Sequence, residues 1–150
     1  MNPMSNQEQC IIDQAIAILR QRLMNGDVFD SPEVVKQFAQ LNIAGDLDEG
    51  FYVLFLTSQH QLITFEKMFS GTINASSVYP RVIARRCLEV NAASVIISHN
   101  HPSGISEPSN ADINITNSKA KALSLLDVKL LDHIVVSVGS TVSLAERGII

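Results

Sequence analysis

The chain has 150 residues, of which 46% are hydrophobic and 17% are charged, a balance typical of one globular domain rather than a disordered segment. The net charge is −4, and residues 1–50 hold eight acidic against three basic side chains, so direct binding to nucleic acid is not expected. The apolar runs are far shorter than the roughly 20 residues that cross a bilayer, and residues 1–10 do not resemble a signal peptide, so we expect a cytoplasmic protein without a membrane segment.

Two cysteines, Cys10 and Cys87, lie far apart in the sequence and form no C-x-x-C pair. A disulfide framework needs several cysteines, and a cytoplasmic protein keeps its thiols reduced. We therefore predict that both are buried free thiols that pack as small apolar residues.

Two helices are predicted before the first strand. Apolar residues recur with a helical period over residues 7–24, with an expected inner face of Cys10, Ile11, Ala15, Ile18, Leu19 and Leu23. A second helix is expected over residues 30–43, since Ser31 can serve as the N-cap and Pro32 suits the first helical position. We interpret residues 1–45 as an N-terminal helical extension, whose first helix offers an apolar face to a possible homodimer.

The period changes to that of strands after residue 50. Strands are predicted over residues 51–57, 62–69 with a continuation through 70–78, 93–98, 128–138 and 140–144. Helices are predicted over residues 79–92, with Val82, Ile83, Cys87 and Leu88 facing inward, and over residues 108–127. This order predicts a single α/β domain in which helices flank a mixed β-sheet.

The polar segment SHNHPSGISEPSNAD, residues 98–112, has the strongest chemical pattern in the chain. It can be written H-x-H-x7-S-x2-D, with His99, His101, Ser109 and Asp112 at the defined positions. Side chains two positions apart on extended backbone point to the same side, so the two imidazoles can face one point. Two imidazoles and a carboxylate are a ligand set of catalytic zinc sites, in which the metal lowers the pKa of a bound water from about 16 to roughly 7.

The same residues also have a structural interpretation. Ser109 and Asp112 have the spacing of a capping box, in which each side chain accepts a hydrogen bond from a backbone N–H. Single histidines are more often core or surface residues than metal ligands. The combination with H-x-H at the end of a buried strand favours the metal site, and Ser109 can serve both as cap and in catalysis.

The pattern H-x-H-x7-S-x2-D resembles the JAMM motif of the MPN metallopeptidases. The chain also resembles the RadC family over roughly residues 48–150, in the segments VLFLTSQHQLI, MFSGTIN, YPR, NAASVIISHNHPSG, EPSNAD, LLDHIVV and SLAERG. This resemblance implies a cytidine-deaminase-like three-layer α/β sandwich. It also implies a Zn²⁺ ion held by His99, His101 and Asp112, with Ser109 helping to stabilise the tetrahedral intermediate.

The resemblance suggests how the chain is organised. Residues 46–150 correspond to a RadC-like JAMM/MPN metallopeptidase domain. RadC proteins usually carry a helix-hairpin-helix segment before that domain, and residues 1–45 lack its glycine-bearing hairpins. We therefore expect a short RadC-like variant.

JAMM enzymes use a glutamate just before an early strand as the general base, and Glu49 occupies the matching place. Glu66, which also lies near a predicted strand end, is the second candidate. For either residue, the structural alternative is a solvated carboxylate at the end of a strand.

Several other polar residues are expected to have structural roles. His133 lies in an apolar strand, where a core position or a hydrogen bond to a zinc ligand is favoured over direct ligation. Asp132 beside it can pair with a site group or act structurally, and His60 falls in a turn at the surface. A solvated helix face is expected for the arginine cluster of Arg81, Arg85 and Arg86.

Two functions of different classes are consistent with these observations. The first is a zinc metallopeptidase that cleaves amide or isopeptide bonds in a protein or peptide substrate, where zinc-bound water attacks the carbonyl and Glu49 shuttles the proton. The second is a non-catalytic metal-binding module that joins DNA-repair or mobile-element proteins. A nucleobase deaminase is excluded, because it requires H-x-E together with P-C-x-x-C.

Overall fold

The computed structural model describes residues 3–24, 29, 31–71 and 78–150. Within them lie four helices: α1 (Asn6–Met24), α2 (Pro32–Ile43), α3 (Pro80–Val90) and α4 (Asn110–Ser124). The strands of the same residues are β1 (Gly50–Leu56), β2 (Leu62–Ser70), β3 (Ser94–Asn100), β4 (Lys129–Val136) and β5 (Thr141–Ser143). None of the helices in these segments is both long enough and apolar enough to cross a membrane.

The five strands form one mixed sheet in the order β2-β1-β3-β4-β5. Strand β1 is antiparallel to both β2 and β3, whereas β3 and β4 are parallel and β5 returns antiparallel to β4. The two central strands β1 and β3 are buried along their whole length. Helices cover both faces of the sheet, which explains why these strands read as continuous apolar runs.

Alternation along β1 directs neighbouring side chains into two separate cores. Phe51, Val53 and Phe55 pack with Ile83 of α3 and Ile115 of α4. The intervening residues face the other side of the sheet, where the core contains Tyr52, Leu54, Leu56, Phe38 and Ile43. The predicted three-layer α/β sandwich is confirmed, with α3 and α4 on one face and α2 on the other.

The crossover from β3 to the parallel strand β4 positions the polar segment of the sequence. Helix α4 lies within this crossover and packs on the same face of the sheet as Phe51. The loop between β3 and α4 therefore brings the first turn of α4 to the carboxyl end of β3. His99, at this end of β3, and the start of α4 are thereby brought together.

The structure differs from the predicted elements in two places. Strand β2 ends at Ser70, and Gly71 follows in a bend with a φ of +95°, so the strand does not continue there; residues 72–77 lie outside the described residues. On α3, Leu88 is 63% exposed although it was predicted to face inward. Only the stripe of Ile83 and Cys87 is buried, because this short helix contacts the sheet along a single narrow face.

The prediction for the first helix was partly wrong. Ile11 and Ile18 are about 60% and 59% exposed, and Cys10 is an exposed rather than a buried thiol. Helix α1 packs against α2 at the periphery of the domain, so one stripe of the surface of α1 is partly buried. This stripe contains Ile12, Ala15, Ile16 and Leu19. The side chain of Leu23 lies outside the described residues. Cys87 is buried as predicted, and burial raises the pKa of its thiol to about 11.

We predict that Ile83→Ala lowers the free energy of unfolding by about 2–5 kcal/mol, because it leaves a cavity in the core under α3. Leu88→Ala on the same helix is the matched control, and its effect should stay within about 0.5 kcal/mol because the side chain is exposed. Urea denaturation of both variants measures the difference. Equal losses of stability would contradict the packing described for α3.

Candidate metal centre

The two histidines of the H-x-H pattern lie at the carboxyl end of β3. The strand extends through Asn100, two residues beyond its predicted end, so His99 lies within it and is fully buried between Phe51 and Val135. His101 follows the strand directly, and its backbone N–H donates to the carbonyl of Val136 over 2.7 Å. Both rings point to the sheet face that carries α4, as the i, i+2 spacing predicted.

Asp112 completes a close cluster with these rings. The Nε2 atoms of His99 and His101 lie 2.9 Å apart. The Asp112 carboxylate lies with Oδ1 at 3.0 Å from Nε2 of His99 and with Oδ2 at 3.4 Å from Nε2 of His101. The structure thus brings together the three residues that the sequence indicated as metal ligands.

The separations within this cluster fit a tetrahedral zinc ion. With ligand bonds of about 2.1 Å, two ligands of such an ion lie about 3.4 Å apart. The separations of 2.9, 3.0 and 3.4 Å are equal to or slightly below that value. Two imidazole nitrogens and a carboxylate oxygen are also ligand types that zinc prefers, so the residues fit this ion.

The other ring nitrogen of His101 is held by the loop that follows β3. Its Nδ1 lies 2.8 Å from the carbonyl oxygen of Ile105, an acceptor, so Nδ1 carries the proton. The neighbouring Ser106 hydroxyl lies 2.6 Å from that of Ser140 and ties the loop to the turn after β4. In the neutral ring, Nε2 therefore presents a lone pair toward Asp112.

A buried chain of hydrogen bonds determines the tautomer of His99. The Thr116 hydroxyl donates to the carbonyl of Asp112 over 2.7 Å and lies 2.5 Å from Nδ1 of His133, from which it accepts. Nε2 of His133 is then the acceptor for Nδ1–H of His99, at 2.7 Å. The Nε2 of His99 is left with its lone pair facing His101 and Asp112.

The surroundings keep the Asp112 carboxylate negatively charged, which suits a cation. Burial alone raises the pKa of the Asp112 carboxyl, but in the forms that carry a proton on Nε2, His101 and His99 donate hydrogen bonds that outweigh this and hold the pKa well below its usual range. When Nε2 of His101 carries a proton, its hydrogen bond to Asp112 raises the pKa of the ring, against the opposing effect of burial, so a proton and a metal cation compete for this position. Complete burial lowers the pKa of His133 well below its ordinary value, which keeps that ring neutral as the hydrogen-bond chain requires.

Of the two candidate general bases, Glu49 lies at this cluster. Its carboxylate, Nε2 or Nδ1 of His99 and a ring nitrogen of His101 all lie within 4.8 Å of one another. Glu66 instead forms a bidentate ion pair with Arg86, with separations of 2.9 and 3.1 Å from Nε and 2.9 Å from Nη2. Glu49 is half-buried, which leaves its carboxylate in contact with both solvent and the cluster.

Ser109 forms the capping box that its spacing predicted. Its hydroxyl accepts from the backbone N–H of Asp112 over 3.1 Å, and its own N–H donates to Oδ2 of Asp112 over 2.7 Å. Ser109 itself is exposed to solvent. Because the hydroxyl acts as acceptor in the cap, its proton is left to donate to another group.

The remaining polar residues have structural contacts. Asp132 accepts from the backbone N–H of His133 over 2.7 Å, from the Ser143 hydroxyl over 2.5 Å and from the Ala145 N–H over 3.0 Å, so it holds the turn after β5. His60 lies in a turn with a φ of 62°. The arginines of α3 contact neighbouring side chains, with Arg85 and Arg86 near Glu89 and Arg81 over the ring of Tyr79.

Sequence reasoning missed the residues that orient the histidines. Thr116 is one such residue, and its only sequence signal is that it lies four positions after Asp112 and so on the same face of α4. The acceptor for His101 is a backbone carbonyl, that of Ile105, which leaves no signature in side-chain identity. The role of His133 as a hydrogen-bond partner of a ligand was indicated, because its strand position left few other roles for an imidazole.

Comparison with known proteins identifies the family. The family model for a RadC-like JAB domain matches residues 29–149. The chain belongs to the family of RadC-like JAB domains. The match includes the two histidines, Asp112, Glu49 and Ser109, and thus the whole cluster described above.

Curated relatives agree with this assignment. A UPF0758 protein of Methylibium petroleiphilum is 50% identical over 140 residues, which are 93% of this chain and 63% of that protein. One of a Marinomonas species is 48% identical over 144 residues, 96% of this chain and 64% of the relative. Another, of Vibrio cholerae, is 48% identical over 141 residues, 94% of this chain and 89% of the relative. The chain therefore spans less than two thirds of the first two relatives.

The hydrogen-bond chain to His99 generates a prediction for metal affinity. Thr116→Val keeps the side-chain volume but removes the acceptor for His133, so the affinity for zinc should fall roughly 10–100-fold. Thr116→Ser retains the hydroxyl and is the matched control, with an affinity near that of the wild type. Competition with a chromophoric chelator measures the zinc affinity of both variants. Equal affinities for the valine and serine variants would contradict the role given to the hydrogen bonds from Thr116 through His133 to His99.

Proposed function

We propose that this RadC-like JAB domain is a zinc-dependent metallopeptidase that hydrolyses amide or isopeptide bonds in a protein or peptide substrate. The proposal rests on one observation: the side chains of His99, His101 and Asp112 face one point. Two ring nitrogens with lone pairs and the carboxylate oxygens are separated there by 2.9 to 3.4 Å. Both rings use their other nitrogen as a hydrogen-bond donor. Two unprotonated nitrogens at this distance repel each other unless a cation or a proton lies between them.

Each residue around this point can contribute a different role in amide hydrolysis. A zinc ion held by His99, His101 and Asp112 would polarise the amide carbonyl and activate a water molecule. Glu49 takes a proton from the attacking water and delivers it to the leaving nitrogen, for which its position beside the two histidines is suited. The Ser109 hydroxyl donates a hydrogen bond to the carbonyl oxygen that becomes negative during the attack.

An opening beside Glu49 offers a route for the substrate. A cavity of about 420 Å³ is lined, among the described residues, by Asp48, Glu49, Lys67, Ser70 and Gly71. It is open to solvent and three of these lining residues are charged, as expected for a site that admits a segment of polypeptide rather than one small apolar ligand. Glu49 belongs both to this cavity and to the histidine cluster.

A second candidate is a non-catalytic metal-binding module that joins DNA-repair or mobile-element proteins. The engagement of Ser109 in the helix cap favours it, because this contact explains the serine without any chemistry. The module would keep the metal and its ligands but would not depend on the acid–base role of Glu49. Hydrolysis by the zinc-loaded protein therefore separates the two candidates.

We predict one zinc ion per chain in protein that has been dialysed against zinc. His101→Ala and Asp112→Ala should both reduce the zinc content to background, because each removes one of three protein ligands. Glu49→Gln is the matched control and should retain the ion. Elemental analysis gives the content and thermal melting checks the fold; full zinc content in His101→Ala would contradict the proposed centre.

We further predict that Glu49→Gln lowers hydrolysis of a peptide library by roughly 10²–10⁴-fold, the usual contribution of a general base. Glu66→Gln, a change of the same size at a carboxylate paired with Arg86, should leave hydrolysis near the wild-type rate. Cleavage that persists in Glu49→Gln would reject this residue as the base. A wild type that holds zinc but cleaves no member of the library would favour the binding module.

A further inference from the structure

Asn100 separates the two histidines in sequence and in space. It is 1% exposed and ends β3, and alternation along the strand directs its side chain to the face opposite the histidine cluster. On that face the chain segment before β1 passes over the strand. Asn100 therefore contacts the segment that carries Glu49, whereas its two neighbours contact Asp112.

The amide of Asn100 makes three hydrogen bonds to this segment. Its Oδ1 accepts from the backbone N–H of Gly50 over 2.8 Å. Its Nδ2 donates to the carbonyls of Asp48 over 2.9 Å and Asp46 over 3.2 Å. These partners bracket Glu49 on both sides. Because the group must donate two hydrogen bonds and accept one, neither a carboxylate, which has no proton to donate, nor a hydroxyl, which has one, can replace it.

Two further contacts hold the same segment. The Gly71 N–H donates to the carbonyl of Glu49 over 2.8 Å, which ties the segment to the end of β2. The Tyr52 hydroxyl donates to the Asp46 carboxylate at the other end of the segment. With the backbone on either side bound in this way, the Glu49 carboxylate is left with the rotations of its own side chain.

We propose that Asn100 is a positioning residue that sets the distance between the Glu49 carboxylate and the two histidines. The inference rests on the proposed role of Glu49 as general base. One buried side chain, located between the two ligands in the sequence, fixes the backbone of the base by three hydrogen bonds. A displacement of about 1 Å of a catalytic group can lower a rate 10²-fold, so the restraint bears directly on turnover.

The test compares Asn100→Asp with Ser98→Ala in the 150-residue chain. Asn100→Asp keeps the shape of the side chain but places a negative oxygen against two carbonyls. Ser98→Ala is the matched control, because it removes one buried hydrogen bond, to the carbonyl of Ile134, from the same face of the same strand. Should Asn100→Asp fail to fold, Asn100→Ser provides a smaller change that still cannot reach all three partners.

The first readout does not depend on activity. In zinc-loaded protein, NMR order parameters of the Glu49 and Gly50 amides should fall in Asn100→Asp and stay at wild-type values in Ser98→Ala. Zinc affinity, measured by chelator competition, should remain within about threefold of the wild type, because the ligands themselves keep their partners. Unchanged order parameters at both amides would overturn the proposal. A zinc affinity that falls tenfold or more would also overturn it, because a loss of roughly that size is expected when a metal ligand loses its hydrogen-bond partner.

The second readout uses the library peptide that the wild type cleaves. In Asn100→Asp, kcat should fall about 10–100-fold while KM stays within about threefold. In a Glu49→Gln background the same substitution should add no further loss, because the base it positions is already absent. An equal further loss there would overturn the proposal. If the wild type cleaves no peptide, the hydrolase function fails, whereas the order parameters still decide whether Asn100 holds the Glu49 segment.

Discussion

Mutual repulsion among three electron-rich groups is the constraint around which this end of the molecule is organised. Two imidazole nitrogens and a carboxylate lie within 3.4 Å of one another, and most of this cluster is withdrawn from solvent. Each histidine is prevented from turning away, one by the carbonyl of Ile105 and the other by the chain through His133 to Thr116. A proton or a metal ion at the centre would relieve this repulsion.

The fold provides this arrangement with ordinary elements. A parallel crossover places the first turn of α4 against the end of β3, and the cap of that helix fixes the Asp112 carboxylate. Asp112 thus acts in two ways, since Oδ2 completes the cap with the Ser109 N–H while it faces His101. The face of the sheet opposite the cluster holds the glutamate segment through Asn100. The positions of the proposed metal ligands and of the proposed general base therefore depend on different layers of the sandwich.

The sequence predicted the layers and the convergence of the cluster, because both depend on short-range periodicity. The i, i+2 spacing of the histidines and the start of α4 at Ser109 are local features that one segment contains. The exposed side of α3 and the orientation of α1 were predicted less well, as Leu88 and Ile11 show, since both depend on which neighbour a helix meets. The hydrogen bonds of Thr116 and Asn100 connect elements far apart in the chain, and neither residue type indicates such a partner by itself.

Every group that orients the three proposed ligands belongs to the strands, the capped helix or the loop bound to them. The scaffold under His99 is a central strand buried along its full length. For the proposed centre this couples metal binding to the tertiary structure, because the end of β3 and the first turn of α4 bring the ligands together only in the folded chain. An ion that bound only the folded chain would add its binding free energy to the stability of the fold, so unfolding the domain would also require release of the ion.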